Sequence, residues 1–167
     1  MENTVKEICF EMLSQRGYEV SEDETVIVAT AKDDKLIVFY NTSPKLSIEN
    51  IKYYTNIMHE LGFKHTIIIY DSVVTPQANK TIETLQDSLD IELFEKKSLM
   101  YNITKHKLVP KHRRLIPCEA LEFKEKYGVK IPMMLKTDAV ARFYYFKSGD
   151  LVEITRTDGI VAYRIVK

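Results

Sequence analysis

The run Thr66-Ile67-Ile68-Ile69-Tyr70 constrains this chain more than any other stretch. Its apolar residues do not alternate with polar ones, so a strand made of it buries both faces. Such strands lie inside parallel sheets whose surfaces are covered by helices. The flanking segments suit that demand. Ser47 can cap a helix whose Ile48, Ile51, Thr55, Met58 and Leu61 share one face, with Gly62 at its end. Thr75-Pro76 is a second helix start, a capping hydroxyl followed by proline at the first helical position, and Ala78, Ile82, Leu85 and Leu89 can line that helix. Ile91 to Phe94 then supply a further strand. Strand, helix, strand, helix, strand in this order predicts an α/β layer with parallel pairing.

Upstream, Val5, Ile8, Cys9, Met12 and Leu13 recur at helical spacing, and Gly17 can end that helix. Thr25 to Thr30 and Leu36 to Tyr40 read as a hairpin around Lys32-Asp33-Asp34-Lys35. Downstream, Pro117 to Tyr127 reads as a helix ended by Gly128, and Asp138 can cap a short helix through Ala139, Val140, Ala141 and Phe143. Leu151 to Arg156 and Ile160 to Val166 flank Asp158-Gly159, a strong hairpin signal. No Gly/Ser linker separates the two halves, which predicts that they pack at a fixed angle.

A chain of 167 residues suits one compact unit or two small ones. It can bury roughly 70% of its unfolded surface, enough to stand without a metal or disulfide staple. No apolar run approaches the ~18 residues of a membrane span, and the opening Met-Glu-Asn-Thr-Val-Lys-Glu is unlike a signal peptide. Two cysteines, Cys9 and Cys118, fit a reducing compartment. The net charge of zero conceals a split. Residues 1–100 hold 10 Lys and Arg against 17 Asp and Glu, net −7; residues 101–167 hold 14 against 7, net +7. The acidic part makes a poor freestanding nucleic-acid binder. The basic part can meet phosphates or an acidic protein face.

Candidate chemistry is sparse. His106 and His112 stand at a zinc-ligand spacing with Cys118 beyond, but a structural zinc needs four ligands and no second pair exists. Two histidines hydrogen-bonded around a junction is the plainer reading. Asp33, Asp34 and Lys35 have residue types suited to metal-dependent cleavage, yet a hairpin tip is where Asp belongs for turn chemistry alone. Neither cysteine has the context of a nucleophile, and five glycines form no phosphate-binding loop. The Lys52-Tyr53-Tyr54 and Phe143-Tyr144-Tyr145-Phe146 aromatics fit a core better than base stacking. These residues predict no catalytic site, no metal and no cofactor, and they point to binding or assembly.

The acidic and basic parts meet at Asn102-Ile103-Thr104-Lys105-His106-Lys107-Leu108-Val109-Pro110-Lys111-His112-Arg113-Arg114-Leu115. This run resembles, nearly residue for residue, the junction in the fifth-largest subunit of eukaryotic-type DNA-directed RNA polymerase, a family with a shorter archaeal counterpart. Tyr127, Ile131-Pro132, Asp138, Val140-Ala141, Gly149, Ile154, Arg156 and Tyr163-Arg164-Ile165 follow in the family's order. Val5-Lys6-Glu7, Arg16-Gly17-Tyr18, Ile69-Tyr70 and Thr75-Pro76-Gln77-Ala78 are similar to the first domain of the longer, eukaryotic form.

The resemblance implies two domains. Residues 1–100 would be an α/β jaw, restriction-endonuclease-like but non-catalytic; residues 101–167 would be a small α+β assembly domain with a mixed sheet. The function implied is that of a non-catalytic polymerase subunit, not itself an enzyme, docking on the largest subunit and supporting downstream DNA. Its other partners would be the remaining polymerase subunits, with no membrane. The DNA-proximal loop maps onto Thr75, Pro76 and Ala78, with Lys80 or the free N–H groups of that helix start available to a phosphate. The junction and subunit interface map onto His106, Leu108, Val109, Pro110, His112, Asp138, Arg142, Arg156, Tyr163 and Arg164. The alternatives are a metal-dependent nuclease built on the first domain and an independent DNA-binding regulator. The first part is shorter than in nuclear polymerases, Gln77 replaces a common Ser, Ala139 replaces a Pro, and the Thr157-Asp158-Gly159 turn is trimmed. These departures fit a divergent polymerase such as that of a large DNA virus. The location implied is the nucleus for a cellular protein, or a cytoplasmic viral factory or virion for a viral one.

Overall fold

In the computed structural model, the five residues from His65 to Ile69 are buried, and the strand they form runs through the middle of the first unit's parallel array. The structure describes residues 2–22, 27–32, 34–71, 73–128 and 130–167. Thr25, Val26 and Asp33 of the expected hairpin lie outside them. The chain divides into two compact units, Met1–Tyr101 and Asn102–Lys167.

The first unit runs α1 (Glu2–Gln15), β1 (Glu19–Glu22), β2 (Ile27–Thr30), β3 (Lys35–Tyr40), β4 (Lys45–Leu46), α2 (Ile48–Leu61), β5 (His65–Tyr70), β6 (Val73–Val74), α3 (Pro76–Leu85) and β7 (Asp90–Glu95). Its main sheet has the order β1-β2-β3-β5-β7. The first two pairings are antiparallel, while β3-β5 and β5-β7 are parallel. The order advances steadily from β3 to β5 to β7, so two right-handed crossovers bring α2 and α3 to the same face. There Ile37, Phe39, Ile68 and Ile91 meet Ile51, Tyr54 and Met58 of α2 and Ala78 and Ile82 of α3.

Alternation sends Leu36, Val38, Ile67 and Ile69 to the opposite face. On α1, Val5, Cys9, Met12 and Leu13 are buried. Arg16, just beyond that helix, reaches Glu92 on β7. Both helix ends read from sequence are present: Ser47 and Asn50 form a reciprocal capping box on α2, and Gly62 closes it at φ +72°. The short β1, β4 and β6 were not read from sequence. Glu19-Val20-Ser21-Glu22 is an exposed edge whose charges suit a strand with an open side, and two-residue strands carry no periodicity.

The second unit has β8 (Lys111–Arg114), α4 (Pro117–Tyr127), β9 (Met133–Met134), α5 (Ala139–Tyr144), β10 (Leu151–Thr155) and β11 (Val161–Val166). Its sheet order is β8-β10-β11-β9, antiparallel except for the β11-β9 pair. Gly159 turns the β10-β11 hairpin at φ +82°. One face of this sheet, with Val152, Ile154 and Val166, packs on Val140 and Ala141 of α5, joined by Ile103 and Val109. On the other face, Phe123 of α4 lies against Tyr163, with ring centroids 4.3 Å apart. Both units are mixed α/β with mixed sheets.

Candidate interaction surfaces and a buried charge cluster

The Thr75 segment is held from both sides. Its backbone N–H donates to the Leu46 carbonyl at 3.0 Å, and β4 pairs with β6 just ahead of it. The Thr75 hydroxyl accepts from the Ala78 N–H at 3.3 Å, capping α3. Pro76 and Lys80 are exposed, whereas Ala78 is buried against the α2 face. Of the four residues assigned to this loop, Ala78 therefore acts through packing, and Pro76 and Lys80 present the surface.

The Asn102–Leu115 run belongs to the second unit, where it forms a 3-10 turn at Ile103–Lys105 and then the edge strand β8. Asn102 is buried, and its Oδ1 accepts from the Thr104 N–H at 3.0 Å. His106 Nδ1 accepts from the Leu108 N–H at 3.2 Å, and His112 Nδ1–H donates to the Pro110 carbonyl at 2.8 Å. The two histidines thus brace the backbone locally. Among the described residues, no group of three His, Cys, Asp or Glu side chains is arranged to hold a metal ion. Val109 packs on the core, while Leu108 is 77% exposed.

The remaining interface candidates divide by role. Asp138 caps α5, its Oδ1 accepting from the N–H groups of Val140 at 2.8 Å and Ala141 at 3.4 Å. Arg142 and Arg156 are exposed, on α5 and at the hairpin turn. Arg164 is exposed too, with Nη1 donating to the Met133 carbonyl at 3.1 Å. Tyr163 donates to Glu153 at 3.2 Å.

Arg113, not singled out from the sequence, lies on the edge strand β8 and joins two carboxylates. It donates through Nη1 to Glu119 at 2.8 Å, and through Nε and Nη2 to Glu153 at 3.2 Å each. Arg113, Glu153 and Tyr163 are aligned across β8, β10 and β11, so register makes them one cross-strand row. The sequence showed only adjacent arginines; Glu119 is six residues from Arg113, but Glu153 is forty residues away and reaches it only through the β8-β10 pairing.

Ile116, Leu121 and Tyr127, at the start of α4 and within it, are exposed, as are Met133, Leu135 and Ile160 elsewhere on the unit. Helix α4 buries no residue fully.

In the first unit a second cluster gathers carboxylates at the sheet. Glu92 receives Arg16 Nη1 at 2.7 Å and Nη2 at 2.9 Å. His65 lies between Asp34, 2.8 Å from Nδ1, and Glu92, 2.9 Å from Nε2. Tyr18 donates its hydroxyl to Asp34. Burial raises the Glu92 pKa, but the Arg16 charge and the His65 and Arg16 hydrogen bonds outweigh it and leave the carboxyl below its ordinary value. These carboxylates are already hydrogen-bonded to side chains of the chain itself, so the nuclease reading gains no support from Asp34, and Asp33 lies outside the described residues. Cys9 is equally unsuited to nucleophilic work, since burial pushes its thiol up to about 12.

A comparison with known families matches residues 101–166 to the C-terminal domain of RNA polymerase Rpb5. A putative DNA-directed RNA polymerase subunit of Invertebrate iridescent virus 6 is 34% identical, covering 96% of this chain and 97% of that protein. Subunit rpabc1 of the DNA-directed RNA polymerases I, II and III of Dictyostelium discoideum is 32% identical over 82% of this chain and 74% of its own length. The Caenorhabditis elegans RPABC1 subunit is 28% identical over 97% and 93%. The chain belongs to the Rpb5 (RPABC1) family of DNA-directed RNA polymerase subunits.

Proposed function

We propose that this chain is a non-catalytic subunit of a multisubunit DNA-directed RNA polymerase. In this reading the second unit docks on the largest subunit, and the first is a nuclease-like jaw, without chemistry of its own, that supports downstream DNA. The observation that carries it is end-to-end similarity to a viral polymerase subunit, with both units included. Physical support comes from the charge split. A half at +7 can meet an acidic subunit surface, where Arg pairs set register. A half at −7 holds DNA weakly alone, because phosphate neutralisation supplies most non-specific affinity. Contact with DNA would then be local, at Pro76, Lys80 and the start of α3, once the rest of the enzyme has set the duplex beside it.

The chain would reside wherever its polymerase works: the nucleus for a cellular enzyme, a cytoplasmic viral factory or the virion for a viral one. Affinity purification of a tagged chain from its source tests the assignment. The expected result is stoichiometric recovery of the largest polymerase subunit, and absence of the chain from purified, active polymerase overturns it.

A further inference from the structure

The cluster around His65 contains more than a packing solution. A neutral imidazole carries one N–H, yet the ring has a carboxylate oxygen at hydrogen-bond distance from each nitrogen: Asp34 at 2.8 Å and Glu92 at 2.9 Å. A deprotonated nitrogen would aim its lone pair at one of those carboxylates, whereas an imidazolium donates to both. The charges balance on the same assumption. Arg16 and His65 contribute two positive groups, and Asp34 and Glu92 two negative ones, in a place where an uncompensated charge is costly.

We propose that protonated His65 closes a four-charge network that fastens the end of α1 to the sheet of the first unit, making that unit's stability peak on the acid side of neutrality and fall as rising pH removes the imidazolium proton.

The groups facing the ring come from every element around it: Asp34 ahead of β3, Glu92 on β7, and behind them Arg16 and Tyr18 from the segment after α1. Lys35, Lys64 and Asp90 are neighbours by strand position and are exposed. Burial of the ring lowers the His65 pKa, but the hydrogen bonds and charges of Glu92 and then Asp34 outweigh it and raise it above 6.5. Asp34 moves the other way: burial raises its pKa, and the Tyr18 and His65 hydrogen bonds more than reverse that. The signs then set a window. The imidazolium contribution is complete below 6.5 and is lost as pH rises through the folded His65 value. The carboxylate contributions are complete above 3.8 for Asp34 and 4.5 for Glu92, and are lost as pH falls through their lowered folded values. Between 4.5 and 6.5 both are present.

The test is a pH titration of the full ¹⁵N-labelled chain, following the imidazole nitrogens of its four histidines, with His65→Gln assigning the resonance. The expected result is a His65 ring carrying both protons at pH 6.5. Asp34→Asn provides the second arm; the Asp34 side chain is 43% exposed, so Asn keeps its shape and the fold while losing the charge. In that variant the His65 midpoint drops, and the thermal midpoint falls less steeply between pH 6.5 and 9 than in the wild type. A singly protonated His65 at pH 6.5 overturns the proposal. So does a midpoint that Asp34→Asn leaves unchanged.

Discussion

Arg16 does more for the first unit than its place just past a helix suggests. Its side chain is 2% exposed, forks onto both oxygens of Glu92 and passes over the Phe94 ring. Removing one partner of a buried ion pair leaves the other charge stranded, so Arg16→Ala is expected to lower stability by about 3–5 kcal/mol in urea unfolding. Arg16→Lys should fall between, because a point charge cannot reproduce the fork. A loss near zero for Arg16→Ala would mean that water reaches Glu92 freely. His112 is the milder case. It is half-buried, and water can replace its hydrogen bond to Pro110, so His112→Ala should cost about 1 kcal/mol in the same measurement.

At the level of elements, the caps carry local stability and also bear on which residues face partners. Thr75→Ala and Asp138→Ala should each cost about 1 kcal/mol, and Ser at either position should restore most of it. Thr75→Asp separates a capping role from a direct DNA contact, because Asp caps a helix but repels a phosphate: if polymerase activity on duplex template survives Asp and falls with Ala, the hydroxyl matters through α3. Gly62 ends α2 at φ +72°, with open space where a Cβ would go. Gly62→Ala should accordingly cost about 1–2 kcal/mol through backbone conformation alone, read from the thermal midpoint.

For the whole molecule, the opposition of −7 and +7 is the property most easily tested. If the basic unit anchors through charge, Arg142→Glu or Arg164→Glu should reduce recovery with the polymerase more than Thr75→Ala does. Both arginines are exposed, and Arg164 also donates to the Met133 carbonyl. Reassembly should also weaken as salt rises, since the Debye length falls from about 10 Å at 0.1 M to about 3 Å at 1 M. Equal incorporation of all three variants, or salt-independent reassembly, would place the anchoring in apolar contacts such as those available to Leu108 and Leu121.

Local chemistry determined much of this protein before any coordinates. The unbroken Thr66–Tyr70 run dictated a strand buried on both faces, and Ser47, Thr75, Asp138 and Gly159 marked their caps and turn, because each signal depends on residues only a few positions apart. The run from Asn102 to Leu115 carried the family likeness, but its Lys-His-Arg-Arg stretch hid an edge strand, since an edge exposed to water needs no apolar alternation. Tertiary structure decided which charges meet. Arg16 finds Glu92 across 76 residues, and Arg113 finds Glu153 across 40. No short-range pattern encodes such partners; they are chosen by strand order and register, which the two hydrophobic cores set as they close.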